Sequence, residues 1–115
     1  MKWFNRKEFA CKCGCGFDTV DYELAEVLVD LREYFESPTT INSGCRCGEH
    51  NHSVGGSSNS MHLYGKAADV VVKGVSAEDV YEYLDTKYFN KYGIGLYTGR
   101  VHVDVKSGPK RRWIG

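Results

Sequence analysis

The chain has 115 residues, 42% hydrophobic and 26% charged, enough for one soluble domain, 1–115, around one modest core. Lys plus Arg and Asp plus Glu balance at 15 each, so the formal net charge is zero, which argues against a nucleic-acid partner. No apolar run approaches the roughly 20 residues of a membrane span, and Met1-Lys2-Trp3-Phe4-Asn5-Arg6-Lys7 lacks the apolar centre of a signal peptide. The expectation is therefore no membrane contact, a cytoplasmic location and a monomer, with release by lysis or another route if the target lies outside.

Cysteines open the chain: Cys11, Cys13 and Cys15 stand in CKCGCG, and Cys45 and Cys47 follow later. In a chain without a leader, thiols or metal ligands are expected before disulfides. Residues 21–36 form an amphipathic helical pattern, with Leu24, Val27, Leu28, Leu31, Tyr34 and Phe35 on one face of a 3.6-residue period. Asp18 or Thr19 is suited to cap its start, and Pro38 ends the segment. Thr40-Ile41-Asn42 is a short strand candidate. Residues 53–60, SVGGSSNS, are the one Gly/Ser-rich stretch, and their place directly before His62 suggests a functional loop.

Ala68-Asp69-Val70-Val71-Val72 carries the β-branched run of a buried strand. A second helix is predicted over residues 76–88, started by Ser76 and Asp79 and striped by Val80, Tyr83, Leu84 and Tyr88. Residues 93–97 and 100–106 then form a hairpin turning at Thr98-Gly99. Period-two alternation places His102 and Asp104 on one face of its second arm, with Val101, Val103 and Val105 on the other. The closing run Lys110-Arg111-Arg112 reads as a solvated tail. This order predicts an α+β fold: a small, mostly antiparallel sheet with flanking helices.

His62, Asp69 and His102 are the chemically informative set. A carboxylate opening an apolar strand is costly unless it is paired or bound to a metal. Two imidazoles and one carboxylate suit a zinc ion with one coordination position open, which is the arrangement of a hydrolytic site.

Several segments together resemble the peptidase M15 family. They are Ser43-Gly44-Cys45-Arg46, Gly55-Gly56 with Asn59-Ser60-Met61-His62, Gly65-Lys66-Ala67-Ala68-Asp69, and Gly93-Ile94-Gly95-Leu96-Tyr97 leading to His102-Val103-Asp104 and Arg112-Trp113. The family comprises zinc D-Ala-D-Ala carboxypeptidases and L-alanyl-D-glutamate endopeptidases; its short form is common among bacteriophage lysis proteins. The resemblance implies a fold like that of hedgehog and the D-Ala-D-Ala peptidases, and a peptidoglycan stem peptide as substrate. It makes His62, Asp69 and His102 the zinc ligands. Arg46 becomes the group that grips a substrate carboxylate or developing oxyanion, a role suited to its rigid donor fork. Ser60 becomes a substrate hydrogen-bond donor or, alternatively, a cap.

The sequence departs from many members in one respect. The positions just before the last histidine, where those members carry an acidic base, are Tyr97, Thr98, Gly99 and Arg100. Asp104 is the nearest carboxylate, and serves as general base or as the group that orients a metal ligand. The converse, Asp104 on the metal and His102 carrying the proton, is also open. Glu49, His50 and His52 read as loop polarity. Cys45 replaces a usually aromatic residue. If the two cysteine groups meet, four thiolates would hold a second, structural zinc; one or two disulfides, or free thiols, are the alternatives. A zinc-retaining cell-wall-binding module without catalysis is the competing functional reading.

Overall fold

The computed structural model describes residues 2–115, which fold into three α-helices and a five-stranded sheet. Residue 1 of the expected domain lies outside the described residues. The first helix, α1, spans Tyr22–Phe35, and Asp21 caps it by accepting a hydrogen bond from the Glu23 amide at 2.9 Å. The cap is thus Asp21 rather than Asp18 or Thr19: only a side chain directly before the first turn reaches its free amides. The helix closes at Glu36 in the left-handed region, two residues before Pro38.

Strand β1 (Thr39–Ser43) follows, then a short helix α2 (Gly48–Ser53) and strand β2 (Ala67–Val72). Helix α3 (Ala77–Lys87) is capped by Ser76, whose Oγ accepts from the Asp79 amide. Strands β3 (Gly93–Tyr97), β4 (Arg100–Asp104) and β5 (Arg111–Ile114) complete the sheet. Its order is β1-β2-β4-β3-β5. The first three pairings are antiparallel and β3–β5 is parallel, so the fold is α+β with a mixed sheet.

One sheet face makes the core. Leu24, Leu28 and Leu31 of α1 and Val80 and Leu84 of α3 pack with Val70, Val72, Ile94, Val101 and Val103. Burial of each such side chain contributes about 1.5–3 kcal/mol. The alternate residues of the strands face the other way, and among them are Asp69, His102, Asp104 and Arg111. Among the described residues, no helix is long and apolar enough to cross a membrane.

Two elements differ from the sequence expectation. Residues 48–53 are helical, because Cys47 provides an N-cap that accepts from the His50 amide. The basic run near the C-terminus is no solvated tail: its arginines lie in β5 and point to opposite faces of the sheet. Arg112 pairs with Asp85 at 2.7 Å and donates to the carbonyls of Tyr88, Lys91 and Tyr92, closing the C-terminal end of α3. Arg111 goes to the polar face and pairs with Asp104.

Candidate functional site

Strand register assembles the polar face in rows. Ser43, Asp69, His102, Gly95 and Trp113 are successive cross-strand partners from β1 to β5. The neighbouring row is Ala67, Asp104, Gly93 and Arg111. Glycine on β3 leaves each row open, so side chains of β5 reach over β3 to β4. A Cβ on Gly93 would stand 2.6 Å from both the Arg111 guanidinium and the Asp104 carboxylate. A Cβ on Gly95 would collide with the Trp113 indole, which packs 5.2 Å from the His102 ring and donates to the Tyr97 hydroxyl.

His62 enters from the loop side, on a single 3-10 turn (Met61–Tyr64) that Ser60 caps through the His62 amide. Gly65 ends that turn at φ +68, where a side chain would also strike the Thr19 carbonyl, so the chain drops directly into β2. Asp69 then lies beside two imidazoles: His62 Nε2 is 3.5 Å and His102 Nδ1 is 3.1 Å from its Oδ1. The donor atoms of His62, Asp69 and His102 all lie within 4.8 Å of one another.

The second nitrogen of each ring has its own partner. His62 Nδ1 is 2.6 Å from the Gly44 carbonyl, and His102 Nε2 is 2.9 Å from Asp104 Oδ2. A carbonyl accepts only, so His62 donates from Nδ1 and turns the lone pair of Nε2 toward Asp69. The Asp104 carboxylate likewise draws the proton of His102 to Nε2 and leaves Nδ1 as a donor atom. This donor set fits a divalent zinc ion: two neutral imidazoles, one carboxylate, and an outer carbonyl and carboxylate that set the tautomers.

Electrostatics follow from this packing. In the metal-free protein burial works against the charge on Asp69, but His102 and His62, when they carry protons toward it, overcome that cost and hold the carboxyl far below the usual carboxylate range. Asp104 is similarly buried, yet His102 and Arg111 pull it down to about 2. For His102, burial opposes protonation, while Asp104 and Asp69 on either side raise the pKa. Both oxygens of Asp104 are engaged, Oδ2 by His102 and Oδ1 by Arg111 and the Lys106 amide.

Arg46 stands at the margin of the cluster. Its Nε donates to Ser43 Oγ, its Nη1 to Asn51 Oδ1 at 3.2 Å, and its Nη2 is 3.6 Å from Asp69 Oδ2. A cleft of about 440 Å³ opens over these groups, lined also by Ser60, Tyr97, Arg100, Trp113 and the loop from Val54 to Asn59. The Gly/Ser-rich stretch therefore is a wall of the cleft. Glu49, His50 and His52 are on α2 and do not line it. A larger surface groove, about 610 Å³, lies along α1 and shares none of these residues.

Sequence reasoning missed Arg111 and the part of Asn51. Arg111 was hidden in a basic run whose two faces appear only once β5 pairs with β3. Asn51 is buried, receives Arg46 and donates to the Ser57 carbonyl; the signal for it was the missed helix α2.

The cysteines separate into two groups. Cys11, Cys13, Cys15 and Cys47 converge, with all four sulfurs within 4.8 Å of one another. Cys45 stands apart: it is buried and donates to the carbonyls of Phe9 and Phe17.

Comparison with known proteins gives a family match and a curated relative. The profile of the family described as Peptidase M15 matches residues 2–104, ending at the last residue of β4. The zinc D-Ala-D-Ala carboxypeptidase of Streptomyces albus G is 51% identical over 35 residues. That stretch is 30% of this chain and only 14% of the relative.

Proposed function

The chain belongs to the peptidase M15 family, and from that premise we propose that it is a zinc-dependent peptidase of peptidoglycan stem peptides, folded as one domain. The observation that carries this reading is the convergence of His62, Asp69 and His102 beneath an open polar cleft with Arg46 at its edge. His62 Nε2, a carboxylate oxygen of Asp69 and His102 Nδ1 would hold the ion. Bound there, zinc supplies Lewis-acid polarisation of a carbonyl and lowers the pKa of a coordinated water.

The remaining work falls to the chain itself. Asp69 contributes the negative charge that offsets the cation. Gly44 and Asp104 keep the two rings in the tautomers that present a lone pair inward. Arg46 offers its guanidinium to a substrate carboxylate or to the oxygen that gains charge during hydrolysis. Ser43 and Asn51 hold that guanidinium still, so little freedom is lost when substrate arrives. Ser60 caps the His62 turn with its lone pairs and keeps its hydroxyl proton for a substrate carbonyl. Asp104 acts as a positioning residue for His102 rather than as general base, because both its oxygens already have partners.

The scissile bond is the terminal D-Ala-D-Ala bond or the L-Ala-D-Glu bond, and the reading includes a lytic, phage-type role. A second reading has one observation behind it. Asp69 and Asp104 are the only carboxylates lining the cleft among the described residues, and both are engaged. A fold that keeps its zinc but binds stem peptides without cleaving them matches that shortage of a free base. Incubating the zinc-loaded protein with purified sacculi and weighing the released products separates the two. Free D-Ala identifies the carboxypeptidase, and cleavage after L-Ala the endopeptidase. Full zinc occupancy with no product refutes the enzyme and leaves the binding module.

A further inference from the structure

The N-terminal cysteines have no part in the cleft. Residues 11–17 form a loop closed by a hydrogen bond from the Cys11 amide to the Phe17 carbonyl at 2.7 Å. Within it Gly14 and Gly16 adopt φ of +83 and +93, left-handed values that glycine takes without strain. They bracket Cys15 and let three sulfurs at alternate positions turn toward one point. Cys47, the N-cap of α2, brings the fourth from across the molecule.

The sulfur separations are specific. Cys11–Cys13 is 3.5 Å, Cys13–Cys47 is 3.7 Å and Cys11–Cys47 is 3.8 Å. A tetrahedral zinc tetrathiolate with Zn–S bonds of about 2.3 Å has sulfur–sulfur edges of about 3.8 Å. A disulfide needs about 2.05 Å, well inside every one of these three distances. Backbone amides point at the sulfurs as well: the Cys47 amide donates to Cys11 Sγ and the His50 amide to Cys47 Sγ, each at 3.4 Å. Such N–H donors offset the charge of metal-bound thiolates.

We infer that Cys11, Cys13, Cys15 and Cys47 hold a structural zinc ion, with Cys45 excluded from it. Four protein sulfurs fill a tetrahedral shell and leave no open position, so the ion takes no substrate. Its role is a cross-link over 36 residues between the N-terminal loop and the residue next to Arg46. The backbone already brings these segments together: the Cys45 amide donates to Phe9, and a side chain on Gly44 would come within 2.6 Å of the Phe9 carbonyl. In a chain that buries only a modest core, such a clamp adds binding energy directly to folding, and the four thiols release their protons as the ion enters.

Cobalt replacement tests the site without relying on a variant that must fold. The cobalt-loaded protein is expected to show intense thiolate-to-cobalt charge-transfer bands, which the histidine–aspartate cleft lacks the sulfur to produce. In a His62→Ala protein, where the cleft ligand is gone, metal analysis should still find one zinc per chain. Cys13 is exposed, so Cys13→Ser preserves packing; it should lose that zinc, weaken the charge-transfer bands and lower the melting temperature, while Cys45→Ser keeps the metal. Cobalt loading without sulfur bands would overturn the inference. So would fewer than five titratable thiols in the denatured, metal-stripped, unreduced protein, which means disulfides, or iron in place of zinc. Each readout is independent of peptidase activity, so failure of the sulfur site and failure of the peptidase reading are separately visible.

Discussion

The two donor clusters on either side of Arg46 are built by different means. His62, Asp69 and His102 rest largely on regular structure: Asp69 and His102 are cross-strand partners in the middle of the sheet, and only His62 comes from a turn. Cys11, Cys13 and Cys15 rest on a loop bent by two left-handed glycines, and Cys47 on a helix cap. The first cluster offers three ligands under a cleft, whereas the second offers four sulfurs and completes its own shell. A hydrolytic site needs rigid placement with one position free, and β-sheet register supplies that rigidity. A structural clamp needs reach along the chain, which a glycine-rich loop supplies. Arg46 is tied to both, by its guanidinium to Asp69 and by its neighbour Cys47 to the sulfurs.

The contrast is broken most severely at Asp69. Asp69→Asn removes the one anion of the His62, Asp69 and His102 set, so peptide release from sacculi should fall to the metal-free background while the sulfur site keeps its zinc. Metal analysis and product mass spectrometry check both halves; retained release would remove Asp69 from the site. Next comes Asp104→Asn. As a positioning residue, Asp104 should cost about 10–100-fold in zinc affinity or activity when altered. Zinc competition titration decides its role, since a general base would lower turnover with zinc affinity unchanged.

Gly93→Ala is a smaller change with a specific target. Its Cβ would press between Asp104 and Arg111, costing about 1–3 kcal/mol of stability as overpacking does, and should also weaken zinc binding in the cleft. Gly14→Ala is the matching change in the sulfur loop. A Cβ there meets nothing within 4 Å, so the loss reflects only the left-handed backbone, about 1–2 kcal/mol. Denaturant melts of the two variants compare crowding with backbone strain.

The smallest effect is in pH. In the metal-free protein Asp104 titrates near 2, below the ordinary carboxyl value of about 3.9. Its stabilisation is therefore present above that ordinary value and is lost as pH falls toward 2. His102 is shifted upward, so its contribution is full below the ordinary imidazole pKa and fades as pH rises through the raised one. Denaturation of the metal-free protein across this range should show both limbs, and Asp104→Asn should flatten the acid one.

The sequence by itself determined the two long helices, the first four strands and much of the cleft. Apolar periodicity located α1 and α3, a β-branched run located β2, a hairpin pattern located β3 and β4, and strand alternation placed His102 and Asp104 on one face because successive side chains in a strand point to opposite sides. These are local rules, readable a few residues at a time. Tertiary structure alone decided what depends on pairing over distance. The mixed sheet, with β5 parallel to β3, put Arg111 on Asp104 and Trp113 against His102, turning an apparent tail into the backing of the site. It also sorted five cysteines into four that converge and one that is buried apart, since spacing in the chain does not fix where sulfurs 36 residues apart will meet.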